Sequence, residues 1–376
     1  MKQLYIEASL LGSVTTDTLH EFLTSVGKNN GRVQNIKNYT ELSQKQLLQC
    51  CNAMEQYVCK AVEEMSSFQE ATADQQMQQD GMRHLGELLQ GLQGGAHVAH
   101  GLLLASALQP PSSLLNTATL LHDNCLLAVG DLPEVQDPVA RLCCSWWELQ
   151  VAGKEQLMPQ TLPYILIRAE STQRVADIKI CCTMRDAFTL LDFEDPNIVD
   201  VKRLLLQAAF NPAFVSRPEG RRFLASLFNL DKNFVSELTV IVKNQIPSGR
   251  RTVLEAYGEI IFRAWREASG PCLLEVESSC IQEVMKAAIY ASTPALAGAL
   301  RQVLNGLHSE KRASGVDAML LRLYSPILFR AFAACNSAVR LNALQLLLAA
   351  FPLMDPEAGP EDMEETLTLQ FDHIRK

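Results

Sequence analysis

The 376-residue sequence predicts an all-α protein, a solenoid of stacked antiparallel helix pairs. Three observations predict it. Apolar residues recur at helical spacing from Glu41 onward, and no alternating, strand-like run persists. Segments of about 12–20 residues alternate with short breaks of Pro, Gly, Asn or Asp, as helix–helix connections do. One stretch, Leu321 to Pro356, reads as a complete pair of helices folded back on each other.

In that stretch the first helix carries Pro326, and a turn at Asn336 and Ser337 follows. Asn336 suits the cap of the second helix, because its side-chain oxygen accepts an orphan N–H. Arg340 is placed to reach a polar group in the neighbouring turn. Ala343 is small where two helix backbones approach. Val339, Ala343, Leu347 and Ala350 share one face of the second helix, and Leu341, Leu344, Leu348 and Phe351 share another. A helix apolar on both sides is expected to be buried on both sides. The unit resembles a HEAT repeat, in which the inner helix of each pair sits that way. Such folds present surfaces to other molecules, so the question of function becomes one of partners.

Composition narrows the classes. Hydrophobic content is 48%, ample for a large core. Net charge is −9, which argues against a protein that coats nucleic acid by bulk electrostatics. Eleven cysteines include the adjacent pairs Cys50–Cys51, Cys143–Cys144 and Cys181–Cys182. Neighbouring cysteines on a helix point apart, and no CxxC occurs. They read as reduced, buried, small hydrophobes in a cytosolic or nuclear protein. The start, MKQLYIEASLLGSV, is broken by Glu7 and does not read as a signal peptide. From Leu88 to Leu121 no Asp, Glu, Lys or Arg occurs, but Gln90, Gln93, His97, His100 and the Pro110–Pro111 pair interrupt it. A bilayer span needs ~20 consecutive apolar residues. Two buried helices joined at the prolines are the better reading.

Along the chain, residues 1–38 read as irregular, with Gly27 to Arg32 as a loop. Residues 39–80 hold a helix from about Glu41 to Met65, then the Gln-rich Ser66–Asp80, a solvated helix or, preferably, a mobile linker. Residues 81–356 carry the helix-pair stack. Asp137–Pro138, Asp195–Pro196 and Asn336 each precede an amphipathic helix and read as recurring caps.

No constellation supports an enzyme, a cofactor or a small-molecule substrate. His97 with His100, and His122 with Cys125, lack a second ligand pair at zinc spacing and read as structural. Gly91, Gly94 and Gly95 are not a phosphate loop, since no strand precedes them. Of Trp146 and Trp147, one is expected in the core and the other partly exposed. The unusual charge feature spans Arg217 to Arg266, with nine Lys or Arg against five acids, +4 locally. The plainer reading is solvated helix faces. The sharper one is a ridge of Arg221, Arg222, Arg250 and Arg251 that contacts DNA phosphates.

The blocks EGRRFLASLFNL (Glu219 to Leu230), VIVKNQI, AYGEIIFRAWREASG, SSCIQEVM, GVDAMLLRLYSPILFRAF and NSAVRLNALQLLLAAFPLMDP closely resemble the non-catalytic G-type regulatory subunits of condensin II, in their N-terminal HEAT region. RLCCSWWEL fits more loosely. The resemblance is strong from Arg141 to Pro356, weak from Tyr39 to Val139, and absent over 1–38. It implies a HEAT solenoid that binds the complex's kleisin subunit and, through it, the paired ATPases of the structural-maintenance-of-chromosomes type. It also implies DNA or nucleosome contact, and a place in the nucleus on mitotic chromosomes, with no membrane involvement. Family members are much longer, so residues 357–376 are expected to start a further repeat, and the chain to be an N-terminal fragment or short isoform. A HEAT-type nuclear transport receptor or phosphatase scaffold is the alternative. Its more regular repeats and acidic inner faces fit this sequence less well.

Overall fold

The computed structural model describes residues 16–29, 39–40, 42–72, 79–106, 109–311 and 313–353. Seventeen α-helices and no strand occur among them, as the periodicity predicts. The expectations for residues 1–15, for the loop residues 30–32 and for 357–376 lie outside the described residues. The chain divides into two compact units, Met1–Ile167 and Arg168–Lys376.

In the first unit, α1 (Thr16–Lys28) packs on α3 (Gln79–Ala105), and α3 on α5 (Pro133–Glu148). Beside this row run α2 (Gln44–Thr72) and α4 (Ser112–Cys125), in contact with each other. α1 corrects the irregular reading of this region. Its Leu19, Leu23 and Val26 follow helical spacing and are buried. α2 continues to Thr72, so Ser66–Thr72 is helical, and residues 73–78 are not described. The prolines separate α3 from α4, and no described helix is long and apolar enough to cross a membrane. Gly94 lies inside α3, where a Cβ would meet the Leu23 carbonyl oxygen at 1.9 Å. α1 can therefore lie directly on the α3 backbone.

Asp137 is not a cap. α5 starts at Pro133, so Asp137 falls inside it and instead accepts a hydrogen bond from the Tyr164 hydroxyl at 2.6 Å. Both tryptophans are buried, contrary to the expectation for one of them. Trp146 Nε1 donates to the Ala152 carbonyl at 3.0 Å, and the Lys154 ammonium covers the Trp147 ring at 4.8 Å. Their directions around α5 differ, but the loop after the helix folds back over both.

After α6 (Thr161–Thr172), the second unit forms two rows. One row is α7 (Val175–Thr183), α10 (Pro218–Leu227), α12 (Arg251–Glu267), α15 (Pro294–His308) and α17 (Ser337–Ala350), each packed on the next. The other contains α8 (Val199–Phe210), α11 (Lys232–Gln245), α13 (Gly270–Glu275) with the π-helical turn Val276–Gln282, and α16 (Val316–Phe332). Short α9 (Pro212–Ser216) leads into α10, and α14 (Glu283–Ile289) continues from the π turn and packs on α15 and α17. Polar side chains start the helices. Asp231 accepts from the Asn233 and Phe234 amides, Thr293 from Leu296, and Asn336 from Ala338. Asp195 accepts from Asn197 but caps the 3-10 turn Pro196–Ile198, and α8 beyond it starts from Ile198 with no side-chain cap.

The first row packs backbone against backbone. A Cβ on Gly258 of α12 would lie 2.5 Å from the Val303 carbonyl oxygen, and one on Gly306 of α15 would lie 2.5 Å from the Gly258 carbonyl carbon. Ala343, Leu346, Leu347 and Ala350 of α17 are buried. The opposite face of α17 departs from the expected two-sided burial. Leu341, Leu344 and Leu348 are 55%, 37% and 65% exposed, because no described helix covers that side.

Two substitutions check this packing. Gly258→Ala is expected to lower the melting temperature. Alanine gains up to ~1 kcal/mol of helix propensity, but overpacking against α15 costs ~1–3 kcal/mol. Ala343→Trp should destabilise at least as much, and an unchanged thermal melt for either variant would contradict the contacts described.

Candidate functional site

The sequence-predicted residues fall on the first row and its edges. Arg221 and Arg340 occupy equivalent positions, four residues after the caps Arg217 and Asn336. Arg340 Nη1 donates to the carbonyls of Ala334 and Cys335 at 2.7 and 2.9 Å. Arg221 Nη1 donates to those of Val215 and Ser216 at 3.4 and 3.0 Å. In each case the guanidinium reaches back five and six residues, to carbonyls at the end of α9 for Arg221 and in the turn after α16 for Arg340. Those carbonyls have no intrahelical partner. Pro326 lies within α16, and Val339 and Leu347 are buried with Ala343 on the packed face of α17.

The four arginines of the expected ridge differ in their surroundings. Arg221 is only 18% exposed, and its Nε lies 2.7 Å from Glu259 Oε2. Arg251, 81% exposed, pairs along its own helix with Glu255 at 2.9 Å. Arg250 caps α12 and is exposed, while Arg222 turns into a cleft with Arg185 and Arg263. Arg221 is therefore tied into the row, while Arg222, Arg250 and Arg251 are exposed. Successive residues on a helix diverge, and glutamates one turn apart on α12 take up the nearest guanidiniums.

A polar ladder runs along the same helices. Glu259 takes Arg221 from α10 and Arg263 of its own helix, the latter at 3.0 Å. Glu255 accepts from Gln302 of α15 at 3.1 Å, and Arg301 of α15 donates to Gln345 of α17. The ladder thus crosses α10, α12, α15 and α17, and it holds Arg221, Arg251 and Arg263 on Glu255 and Glu259.

The sequence reading missed a second tie. Glu277, in the π turn, is buried, accepting from Trp265 Nε1 at 3.1 Å and from Arg322 Nη2 at 2.6 Å. It joins α12 to α16. An acid in SSCIQEVM's flank gives no local signal of burial, because the extra residue of the π turn re-aims it.

His100 and His122 are engaged by protein, while His97 Nε2 is buried with no hydrogen-bond partner among the described residues. His122 Nδ1 lies 2.6 Å from Asp123 Oδ1, and its Nε2 accepts from the Gln160 amide at 3.1 Å. His100 Nε2 lies 3.0 Å from Ser145 Oγ. Among the described residues no group of three or more His, Cys, Asp or Glu is placed to hold a metal. Eight of the cysteines are buried, and burial pushes the Cys50 and Cys280 thiols up to about 11. Such thiols are poor nucleophiles.

Residues 207–355 match the family model described as condensin II non structural maintenance of chromosomes subunit. That part of the chain belongs to this family. Its span runs from the last turn of α8 through α17. The chain is also similar to the condensin-2 complex subunit G2 of Danio rerio, 35% identical over 268 residues, which is 69% of this chain and 23% of the relative. The Xenopus laevis subunit G2 is 36% identical over 63% of this chain and 21% of its own length. The human subunit G2 is 34% identical over 65% of this chain and 22% of its own. The chain thus spans less than a quarter of the curated relatives it matches. No solved structure matches it.

Removing either repeat arginine tests the shared role. Arg221→Met and Arg340→Met should each cost ~1–3 kcal/mol by leaving carbonyls unsatisfied, seen as a lower midpoint in urea. A second prediction concerns His308, held 2.7 Å from the buried Tyr324 hydroxyl. Burial, with the Lys311 charge, lowers its pKa to about 4. The unfolded chain binds that proton near pH 6.5, so stability present above that pH is lost as pH falls toward 4. His308→Gln should flatten the fall in melting temperature across this window.

Proposed function

We propose that this chain is part of a non-catalytic regulatory subunit of condensin II, binding the complex's kleisin and touching chromatin in the nucleus and on mitotic chromosomes. The family match over 207–355 carries the reading. The stacked helix pairs support it, because their rows offer long exposed surfaces and the buried, raised thiols offer no reaction chemistry. The kleisin would in turn connect the chain to the ATPase pair of the structural-maintenance-of-chromosomes type. Chromatin contact falls to Arg250 and Arg251, where two cations sit at the start of α12.

Affinity purification of the tagged chain from mitotic cells tests the reading. Recovery of condensin II subunits is expected. Recovery of Ran or of a phosphatase subunit in their place would overturn it in favour of a transport receptor or phosphatase scaffold. For chromatin contact, the measurement is duplex-DNA affinity of the kleisin-bound complex at several salt concentrations. Arg250→Glu with Arg251→Glu should weaken binding and lower the log–log salt slope by about 0.9 per lost contact. Helicity and kleisin capture should be unchanged.

A further inference from the structure

Arg222 has no hydrogen bond or ion pair among the described residues, although the arginines around it are held. It opens into a cleft of about 550 Å³ between the 3-10 turn Arg185–Leu190 and the C-terminal parts of α10 and α12. Arg185 enters from one side. Its Nη1 is anchored on the Cys182 carbonyl at 3.1 Å, and its Nε stands 3.7 Å from Asp186, a loose, exposed pair. Arg263 enters from α12, fixed through Nε by Glu259, which leaves its terminal nitrogens available. Asn229 gives its Oδ1 to the Ser269 amide at 3.1 Å, so its amide N–H groups remain to donate. The charges of Arg185 and Arg222 both reach the Cys182 thiol and partly offset the effect of its burial. The two guanidiniums line one volume.

Three guanidiniums and an amide around such a volume form a site for one compact, doubly charged anion. Asp186 and Glu267 at the lining reduce the net charge of the cleft to +1 (three arginines against two acids) and would repel the adjacent phosphates of a polynucleotide. Leu230 gives an apolar seat beside the charge, suited to a neighbouring side chain of an extended peptide. We propose that this cleft receives a phosphoserine or phosphothreonine side chain on an extended segment of a partner protein. The proposal deepens the partner-binding reading but does not need the assembled complex, so the two can fail separately.

The test uses the purified full chain, immobilised. The probes are a degenerate peptide library with a fixed central phosphothreonine, its unphosphorylated twin, and labelled duplex and single-stranded DNA. The phosphorylated library should be retained at least about tenfold better than its twin, the difference one or two charge-assisted hydrogen bonds supply. Inorganic phosphate should compete. Arg222→Glu and Arg185→Glu should abolish the preference, and Arg222→Gln, which keeps the side chain polar if reversal of charge disturbs folding, should reduce it. Arg330→Glu, exposed on α16, should leave it intact. Equal retention of the two libraries would overturn the proposal, as would an undiminished preference in a folded Arg222 variant. Arg222-dependent binding of either DNA would overturn it in favour of a nucleic-acid contact.

Discussion

Close approach of helix backbones along the first row of the second unit is the constraint on which the remaining geometry rests. Gly258 and Gly306 let α12 and α15 touch main chain to main chain, and the small face of α17 follows. Helices so close leave no room between them for long side chains. Polar groups at the rim of the row must then reach sideways to the next helix. The pairs Arg221–Glu259, Gln302–Glu255 and Arg301–Gln345 do so. Each pair is weak alone at a partly exposed site. Together they fix the register between helices whose apolar contacts are small and permissive.

The same spacing explains why arginine recurs just inside the helices. A tight turn between packed helices leaves the final carbonyls of one helix close to the first turn of the next. A long, planar donor can satisfy two of them at once. Arg221 and Arg340 both do this, from the same distance along their helices. One of the nine cations of the 217–266 segment, Arg221, thus serves a turn and not a partner. Arg222 and Arg250 make no such contact and are exposed. The family relationship over 207–355 covers the whole of this repeated arrangement, so turn chemistry and family membership describe the same stretch of chain.

The sequence by itself determined the all-α class, the cap at Asn336, the small face around Ala343 and the family. Each is written in local spacing or in long matching blocks, and local spacing survives folding. It also carried the helix α1, through Leu19, Leu23 and Val26, although the polar residues around them hid it. Tertiary structure decided which way each charged side chain turns, because neighbouring residues with the same charge, such as Arg221 and Arg222, leave a helix about 100° apart. It decided that Trp147 is covered, that Asp137 serves Tyr164 and that Glu277 is buried, since each depends on a partner brought from a distant part of the chain. It left Leu341, Leu344 and Leu348 uncovered among the described residues. An apolar pattern states what a face can bury, and only a neighbouring helix decides whether it does.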